Sequence, residues 1–346
     1  MQRPAKPCTP VRFRLQPPHI MKVKLINCGT SFESSENESI LDSALKNNIF
    51  LDHSCKSGQC SSCKTKIISG ETEPIQSELT LSEDEKNDGY ILTCCRRALS
   101  EVYLDSENLE KFKDIKQQRI PSKIFDIQII SDSFLILSLR LHPDSKFNYI
   151  SGQYVSISRS NITRHYSIFD FDNNEKILKL YIKYYDNGAL SNYLFHEAVV
   201  GDLIQIYGPH GTFCFDETKF DSENIFFATG TGIAPFFAML QNLEQKKLKA
   251  NIKLYWGNRK QEEFFNISDF QYIDLETTFC LSQESIQNFY YGYIQDAFLE
   301  TKIGDIKSVI PYICGSENMI ESVTNLIRKL GYSGPIKSDY FVSYKS

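Results

Sequence analysis

The sequence predicts a multidomain chain: a small α+β domain, a six-stranded antiparallel β-barrel, and an α/β domain on a parallel sheet. Five of the ten cysteines fall between Cys55 and Cys95. Six short β-branched runs follow between about 122 and 215, separated by Gly, Asn, Asp and Pro. After Asp221 the pattern changes to apolar strand, glycine turn and helix. At 346 residues, and about 150 residues per domain, two to three domains are expected. Hydrophobic residues at 41%, with 24 Phe and 19 Tyr, supply several cores and exclude a disordered chain. Lys and Arg number 38 against 43 Asp and Glu, a net charge of -5, so no nucleic-acid partner is expected. No run approaches the roughly 18 apolar residues of a spanning helix, so no membrane partner is expected either. The expected location is cytoplasmic.

Residues 1–20 carry four basic residues, five prolines and no acid, without the apolar core of a secretory signal. They are expected to be a disordered leader, whether an upstream translation, an expression remnant or an arm. The first domain is expected over 21–112. Val23 to Asn27 alternate as a strand does, Ile40, Leu41, Ala44 and Leu45 have helical spacing, and Thr65 to Ile68 form a strand ending at Ser69-Gly70. Residues 21–110 hold 16 acidic and 9 basic side chains, so the acidic bias lies here. Residues 111–120 are polar and read as a linker to Pro121. The barrel is expected over 118–218, interrupted by one helix, LSNYLFHEA. The parallel α/β domain is expected over 221–346, where NIFFATGTGIAPFFAM and SVIPYICGSENMIES each run from strand to helix.

Cys55, Cys60 and Cys63 have the spacing C-x4-C-x2-C, with Cys94 31 residues later, which is the plant-type [2Fe-2S] ligand pattern. Four thiolates hold two irons, and Gly58 with small serines lets the loop turn its amides toward sulfur. Cys94 is expected as the fourth ligand, leaving Cys95 facing away or beside it. Zinc, or a set of buried free thiols, is the alternative, although zinc sites usually pair cysteines in two knuckles. Cys8 and Cys28 are expected to be incidental.

In the barrel, Arg164 is a charge fork suited to phosphate, Tyr166 a flat stacking surface, and the amides of 189–191, opened by Gly188, an anion site at a helix start. A surface arginine and a core-edge tyrosine explain the same residues. In the third domain Thr229, Gly230 and Gly232 form a tight turn ahead of a helix, suited to a pyrophosphate. Pro235 stands where the standard dinucleotide fingerprint has its last glycine. Cys314 and Gly315 end a strand where open parallel sheets bind ligands, with Met319 in the next helix. Arg259 suits a 2'-phosphate while Glu262 and Glu263 suit a ribose diol, which favours NADH and keeps NADPH possible.

The pieces SILDSAL, LDHSCKSGQCSSCKTKIISG and GYILTCC resemble the β-grasp ferredoxin domain of bacterial reductases, and the resemblance runs from about residue 21 to the end. Arg164-His165-Tyr166-Ser167 with Gly188-Ala189-Leu190-Ser191 resembles the flavin signature of the ferredoxin-NADP reductase superfamily, and Gly230-x-Gly232-x-x-Pro235 its nucleotide turn. The resemblance implies that Arg164 meets the FAD pyrophosphate, Tyr166 stacks on the isoalloxazine, and Ser167 hydrogen-bonds near N5. Lys183 falls near a phosphate-facing basic position. Cys314 would lie beside the nicotinamide and Gly315 would let the nucleotide pass. Phe341 would cover the flavin, with Tyr340 and Tyr344 in competition.

A nicotinamide delivers two electrons at once and the cluster accepts one, so FAD is the expected converter. The expected acceptor is a partner protein. GYILTCC with KLYWGNR resembles the CDP-6-deoxy-glucoseen reductase branch, which implies a CDP-4-keto-6-deoxyglucose 3-dehydrase in deoxysugar synthesis. The alternatives are a reductase component of a mono- or dioxygenase, and a ferredoxin-like carrier or redox sensor with vestigial reductase domains.

Overall fold

The computed structural model describes residues 19–159, 162–219, 222–267, 269–301 and 304–340. Cys8, Phe341 and Tyr344 therefore lie outside the described residues. The first domain contains β1 (Ile20–Leu25), β2 (Ser31–Ser35), α1 (Ile40–Lys46), β3 (Lys64–Ser69), β4 (Thr72–Pro74), α2 (Glu83–Asn87), β5 (Tyr90–Leu92), β6 (Arg96–Ala98) and β7 (Val102–Leu104). Its main sheet runs β2-β1-β7-β3-β5, with β1 and β7 parallel, the β-grasp arrangement. Ser39 Oγ accepts the Asp42 amide at 3.0 Å and starts α1, whose Ile40, Leu41 and Ala44 are buried on the sheet. The first strand begins at Ile20, one residue before the expected Met21.

The barrel closes in the order β10-β11-β12-β9-β8-β13, from β8 (Gln118–Ser131), β9 (Phe134–Leu141), β10 (Tyr154–Arg159), β11 (Ile162–Asp172), β12 (Ile177–Lys183) and β13 (Leu203–His210). Leu135, Leu137 and Leu139 alternate into its interior and meet Val155, Ile157, Ile168, Leu178 and Leu180. The helix α3 (Ala189–His196) lies between β12 and β13. The polar stretch ahead of Pro121 is not all linker. Phe112 is 1% exposed with its ring 6.4 Å from Phe50, and β8 starts at Gln118. One apolar ring in a polar run suffices to anchor it.

The third domain has β14 (Glu223–Thr229), α4 (Ile233–Gln245), β15 (Ala250–Asn258), β16 (Ile273–Leu281), β17 (Tyr290–Tyr291), α5 (Ile294–Glu300), β18 (Ile310–Gly315), α6 (Glu317–Lys329) and β19 (Lys337–Tyr340). Its all-parallel sheet runs β17-β16-β15-β14-β18-β19. The strand order reverses between β14 and β18, so a crevice opens at their carboxyl ends. Barrel and third domain share one apolar cluster: Phe134, Phe169, Phe213 and Phe215 pack with Phe226, Phe236 and Tyr312. Phe169 stacks on Phe237 of α4 at 4.4 Å. The first domain keeps a separate cluster of its own. Among the described residues, no helix is long and apolar enough to cross a membrane.

Candidate functional site

The loop between α1 and β3 gathers three thiols, and the turn after β5 brings the fourth. Cys63 Sγ lies 3.3 Å from Cys94 Sγ, and the Cys55 amide donates to Cys60 Sγ at 3.4 Å. The amides of Ser57 and Gln59 donate to Cys55 Sγ at 3.3 and 3.4 Å, as a thiolate requires. The Cys55 thiol is held below the ordinary range, first by the Cys60 thiol, and the Cys94 thiol likewise, first by that of Cys63. Gly58 has φ +75°, and a Cβ there would lie 2.3 Å from Ser77 O and 2.8 Å from Cys95 Sγ, so the loop needs glycine. Cys95 is buried, 3.5 Å from Cys94 and 3.6 Å from Ser77 O. Cys28 is exposed and bonded to Thr30. Among the described residues, no group of three or more His, Cys, Asp and Glu is already arranged around a metal ion. Four soft thiols on one loop and one adjoining turn, with amides aimed at sulfur, fit the donor set of a two-iron centre.

In the barrel, Arg164 and Tyr166 share one face of β11, opposite Ile157 and Val155 of β10. Arg164 Nη1 donates to Thr163 O at 2.8 Å. His165 points to the other face, where its Nδ1 is 2.9 Å from Ser156 Oγ. Ser167 is 3% exposed and its Oγ has no hydrogen-bond partner among the described residues. A buried hydroxyl left unpaired fits a site whose ligand supplies the acceptor. Gly188 precedes α3, and a Cβ there would lie 2.4 Å from Ser191 Oγ. Ser191 Oγ donates to Gly188 O at 3.0 Å, locking the turn, while Leu190 packs in the barrel core. Lys183 Nζ lies 5.7 Å from the Phe134 ring, and burial, then Arg259, lowers its pKa.

At the crevice, Gly230 has φ +54° and opens a single 3-10 turn that leads into α4. A Cβ on Gly232 would lie 2.0 Å from Cys314 O, and one on Gly315 would lie 2.4 Å from Thr229 Oγ1 and 2.5 Å from Met319 Cε. The two strand ends thus meet in a close approach that only glycines permit, and Thr229, Gly232, Cys314, Gly315 and Met319 come together. Pro235 sits in the first turn of α4, where a missing N–H costs no helical bond. Cys314 is fully buried, and burial pushes its thiol up, so it stays neutral.

One expectation needs correction. Glu263 is 5% exposed, and its Oε2 accepts the Arg259 amide at 2.9 Å and the Lys260 amide at 3.4 Å. Its carboxylate holds the turn after β15 and is not available to a ribose; Arg259 is exposed and Glu262 pairs with Lys260 at 3.8 Å. The sequence reading also missed a set of contacts around residues 52–54. Thr212 Oγ1 accepts the His53 amide at 2.8 Å and donates to Asp52 Oδ1 at 3.1 Å; Tyr154 Oη donates to Ser54 O at 2.8 Å; Ser54 Oγ donates to Asp339. These residues lie up to 285 positions apart, and none stands in a local motif.

Three family profiles match in series: "2Fe-2S iron-sulfur cluster binding domain" over 25–99, "Oxidoreductase FAD-binding domain" over 121–215 and "Oxidoreductase NAD-binding domain" over 226–325. The chain is 33% identical over 317 residues to a CDP-6-deoxy-L-threo-D-glycero-4-hexulose-3-dehydrase reductase of Yersinia pestis, covering 88% of this chain and 93% of that one. It is 26% identical to a phenol hydroxylase P5 protein of Acinetobacter pittii, covering 91% and 92%. An Amycolatopsis cytochrome P450 reductase shares the fold, at TM-score 0.72 and 22% identity, over 93% of this chain and 99% of that one. The thiol cradle, the unpaired Ser167 hydroxyl and the glycine-lined crevice thus recur in the order of the three profiles, and the chain belongs to the ferredoxin-NADP reductase superfamily, as an NAD(P)H-dependent oxidoreductase with an N-terminal [2Fe-2S] ferredoxin domain that feeds electrons to a partner redox enzyme.

Proposed function

We propose that this chain takes hydride from NADH and hands single electrons to the terminal component of a multicomponent enzyme system. One observation carries the reading: a four-thiol cradle with amides aimed at sulfur stands in the same chain as a flavin barrel and a nucleotide crevice. Bound FAD would supply the conversion of a two-electron hydride into one-electron transfers. Cys55, Cys60, Cys63 and Cys94 would hold the [2Fe-2S] cluster. Arg164 and the amides of 189–191 would meet the FAD pyrophosphate, with Lys183 nearby. Tyr166 would offer a stacking face and Ser167 a donor to the reactive edge, and Phe341 a cover. Thr229, Gly230, Gly232, Pro235, Gly315 and Met319 would shape the nucleotide site, and the neutral Cys314 thiol would lie at the nicotinamide. With Glu263 committed to its turn, the preference for NADH rests on Glu262 against Arg259.

Two acceptor classes remain. A 3-dehydrase of deoxysugar synthesis, the acceptor the sequence favours, is supported by the relative at 33% identity. An oxygenase component is supported by relatives of phenol hydroxylase and of toluate, xylene, propane and terephthalate oxygenase systems, at 24–27% identity. This second class has the broader support. The docking surface would include the segment beside Cys94, where Gln76 Nε2 donates to Cys94 O at 2.8 Å and Leu79 is 68% exposed. Holoprotein mixed with NADH or NADPH and with each purified acceptor tests the reading. Dehydrase or oxygenase turnover must require this chain; NADH that fails to bleach the flavin would refute it.

A further inference from the structure

The first domain meets the rest of the molecule through a polar seat. Among the described residues its apolar cluster, Val23 to Leu104, includes none from the barrel or the third domain, whereas those two share one core. Contact instead centres on Asp52-His53-Ser54, immediately before the cluster ligand Cys55. Thr212, just past β13, exchanges both backbone and side-chain bonds with this segment. Its amide donates to His53 O at 2.9 Å and its Oγ1 accepts the His53 amide at 2.8 Å. Tyr154 Oη reaches Ser54 O at 2.8 Å, and Tyr154 stands opposite Ser167 in the β10–β11 register. From the third domain, buried Asp339 accepts Ser54 Oγ, and Ser62 Oγ donates to Ser338 O at 2.9 Å. Asp339 in turn stands opposite Cys314 in the β18–β19 register. Thr212 is 5% exposed, so these hydroxyls work where water does not compete.

We propose that Thr212, Tyr154 and Asp339 form a latch that seats the cluster loop on the two cofactor domains, with Thr212 and Tyr154 acting as positioning residues for electron transfer from flavin to cluster. The inference rests on the proposed function. The step moves one electron from reduced flavin, which is oxidised, to the cluster, which is reduced, and no protein bond changes. Its rate falls as the two cofactors move apart, more gently than that of a bond-forming step, so the latch acts by holding their separation and orientation.

The test uses holoprotein of Thr212→Val, Tyr154→Phe and the double variant. Thr212→Val keeps the side chain's shape and leaves the buried His53 amide without its acceptor. Flavin bleaching by NADH in Thr212→Val should match wild type, while cluster reduction, followed by stopped flow and freeze-quench spin resonance, slows severalfold. Thr212→Ser, which restores the hydroxyl, should recover the wild-type rate. Independently of turnover, amide exchange around residues 50–56 and 210–214 should speed up about tenfold in the variants, with the barrel core unchanged. Cluster reduction at the wild-type rate in the double variant overturns the positioning role. Unchanged exchange overturns the latch. A wild-type protein that does not bleach with NADH refutes the proposed function instead.

Discussion

Replacing Ser167 by alanine separates a ligand-binding hydroxyl from a structural one, because the two predict opposite signs. Ser167 is 3% exposed, lies in β11 opposite Tyr154, and its Oγ has no hydrogen-bond partner among the described residues. Leaving a buried hydroxyl unpaired costs about 1–3 kcal/mol, and removing one oxygen opens only a small void. Protein stripped of FAD should therefore gain about 1 kcal/mol in urea unfolding on Ser167→Ala. With flavin bound, the same change deletes a hydrogen bond worth about 1 kcal/mol or more, so hydride transfer should slow about fivefold or more. The assays are urea titration of apoprotein and anaerobic stopped-flow bleaching by NADH. Loss of stability in the apoprotein, or bleaching at the wild-type rate, would show that the hydroxyl is not held for the flavin.

Gly232→Ala puts a Cβ 2.0 Å from Cys314 O and 2.7 Å from Cys314 C, backbone atoms that cannot swing aside. It should cost about 1–3 kcal/mol and raise the KM for NADH more than it lowers FAD content, read from titration and flavin absorbance. Cys60→Ser should lose iron and sulfide, whereas Cys95→Ser, outside the four-thiol set, should retain both by metal analysis. His210 is held neutral, its pKa lowered to about 4 by burial first and then by His165, Lys56 and His53. The unfolded chain takes up a proton near 6.5. This stability is therefore complete above pH 6.5 and falls toward pH 4, by up to about 3 kcal/mol. Asp339, pushed up to about 6 by burial, opposes the loss. Melting curves of His210→Gln should be flatter over that range than those of wild type.

The parts that were legible in the sequence are those whose physics is local. The C-x4-C-x2-C loop closes over nine residues, and period-two alternation in β9 places Leu135, Leu137 and Leu139 inside the barrel without reference to any distant residue. Gly232 and Gly315 were legible as a turn and a strand end, but their reason, contact with each other's strand, is a tertiary fact. Glu263 misled because an acid after an arginine reads as a ribose partner, whereas its carboxylate reaches back to the amides at 259 and 260. Thr212, Tyr154 and Asp339 carried no signal. A hydroxyl or carboxyl that pairs 100 to 285 residues away leaves no periodicity.

The two kinds of domain contact differ in what holds them: one is a shared apolar core and the other is hydrogen bonds. Between barrel and third domain, Phe169 on Phe237 and Phe215 on Tyr312 stack within a continuous core, and Tyr181 Oη donates to Glu263 O at 3.0 Å. Parting these surfaces would expose large rings, each worth about 1.5–3 kcal/mol of burial. Hydride transfer demands that rigidity, since its two reacting atoms must meet in van der Waals contact. Between the first domain and the other two the described contacts include hydrogen bonds at Thr212, Tyr154 and Asp339, each worth about 0.5–1.5 kcal/mol net. A one-electron step tolerates more separation than a hydride step, so the weaker seat falls where the chemistry permits it. On the proposed latch, a polar seat would also part without exposing a large apolar surface, whereas parting the shared core would expose rings.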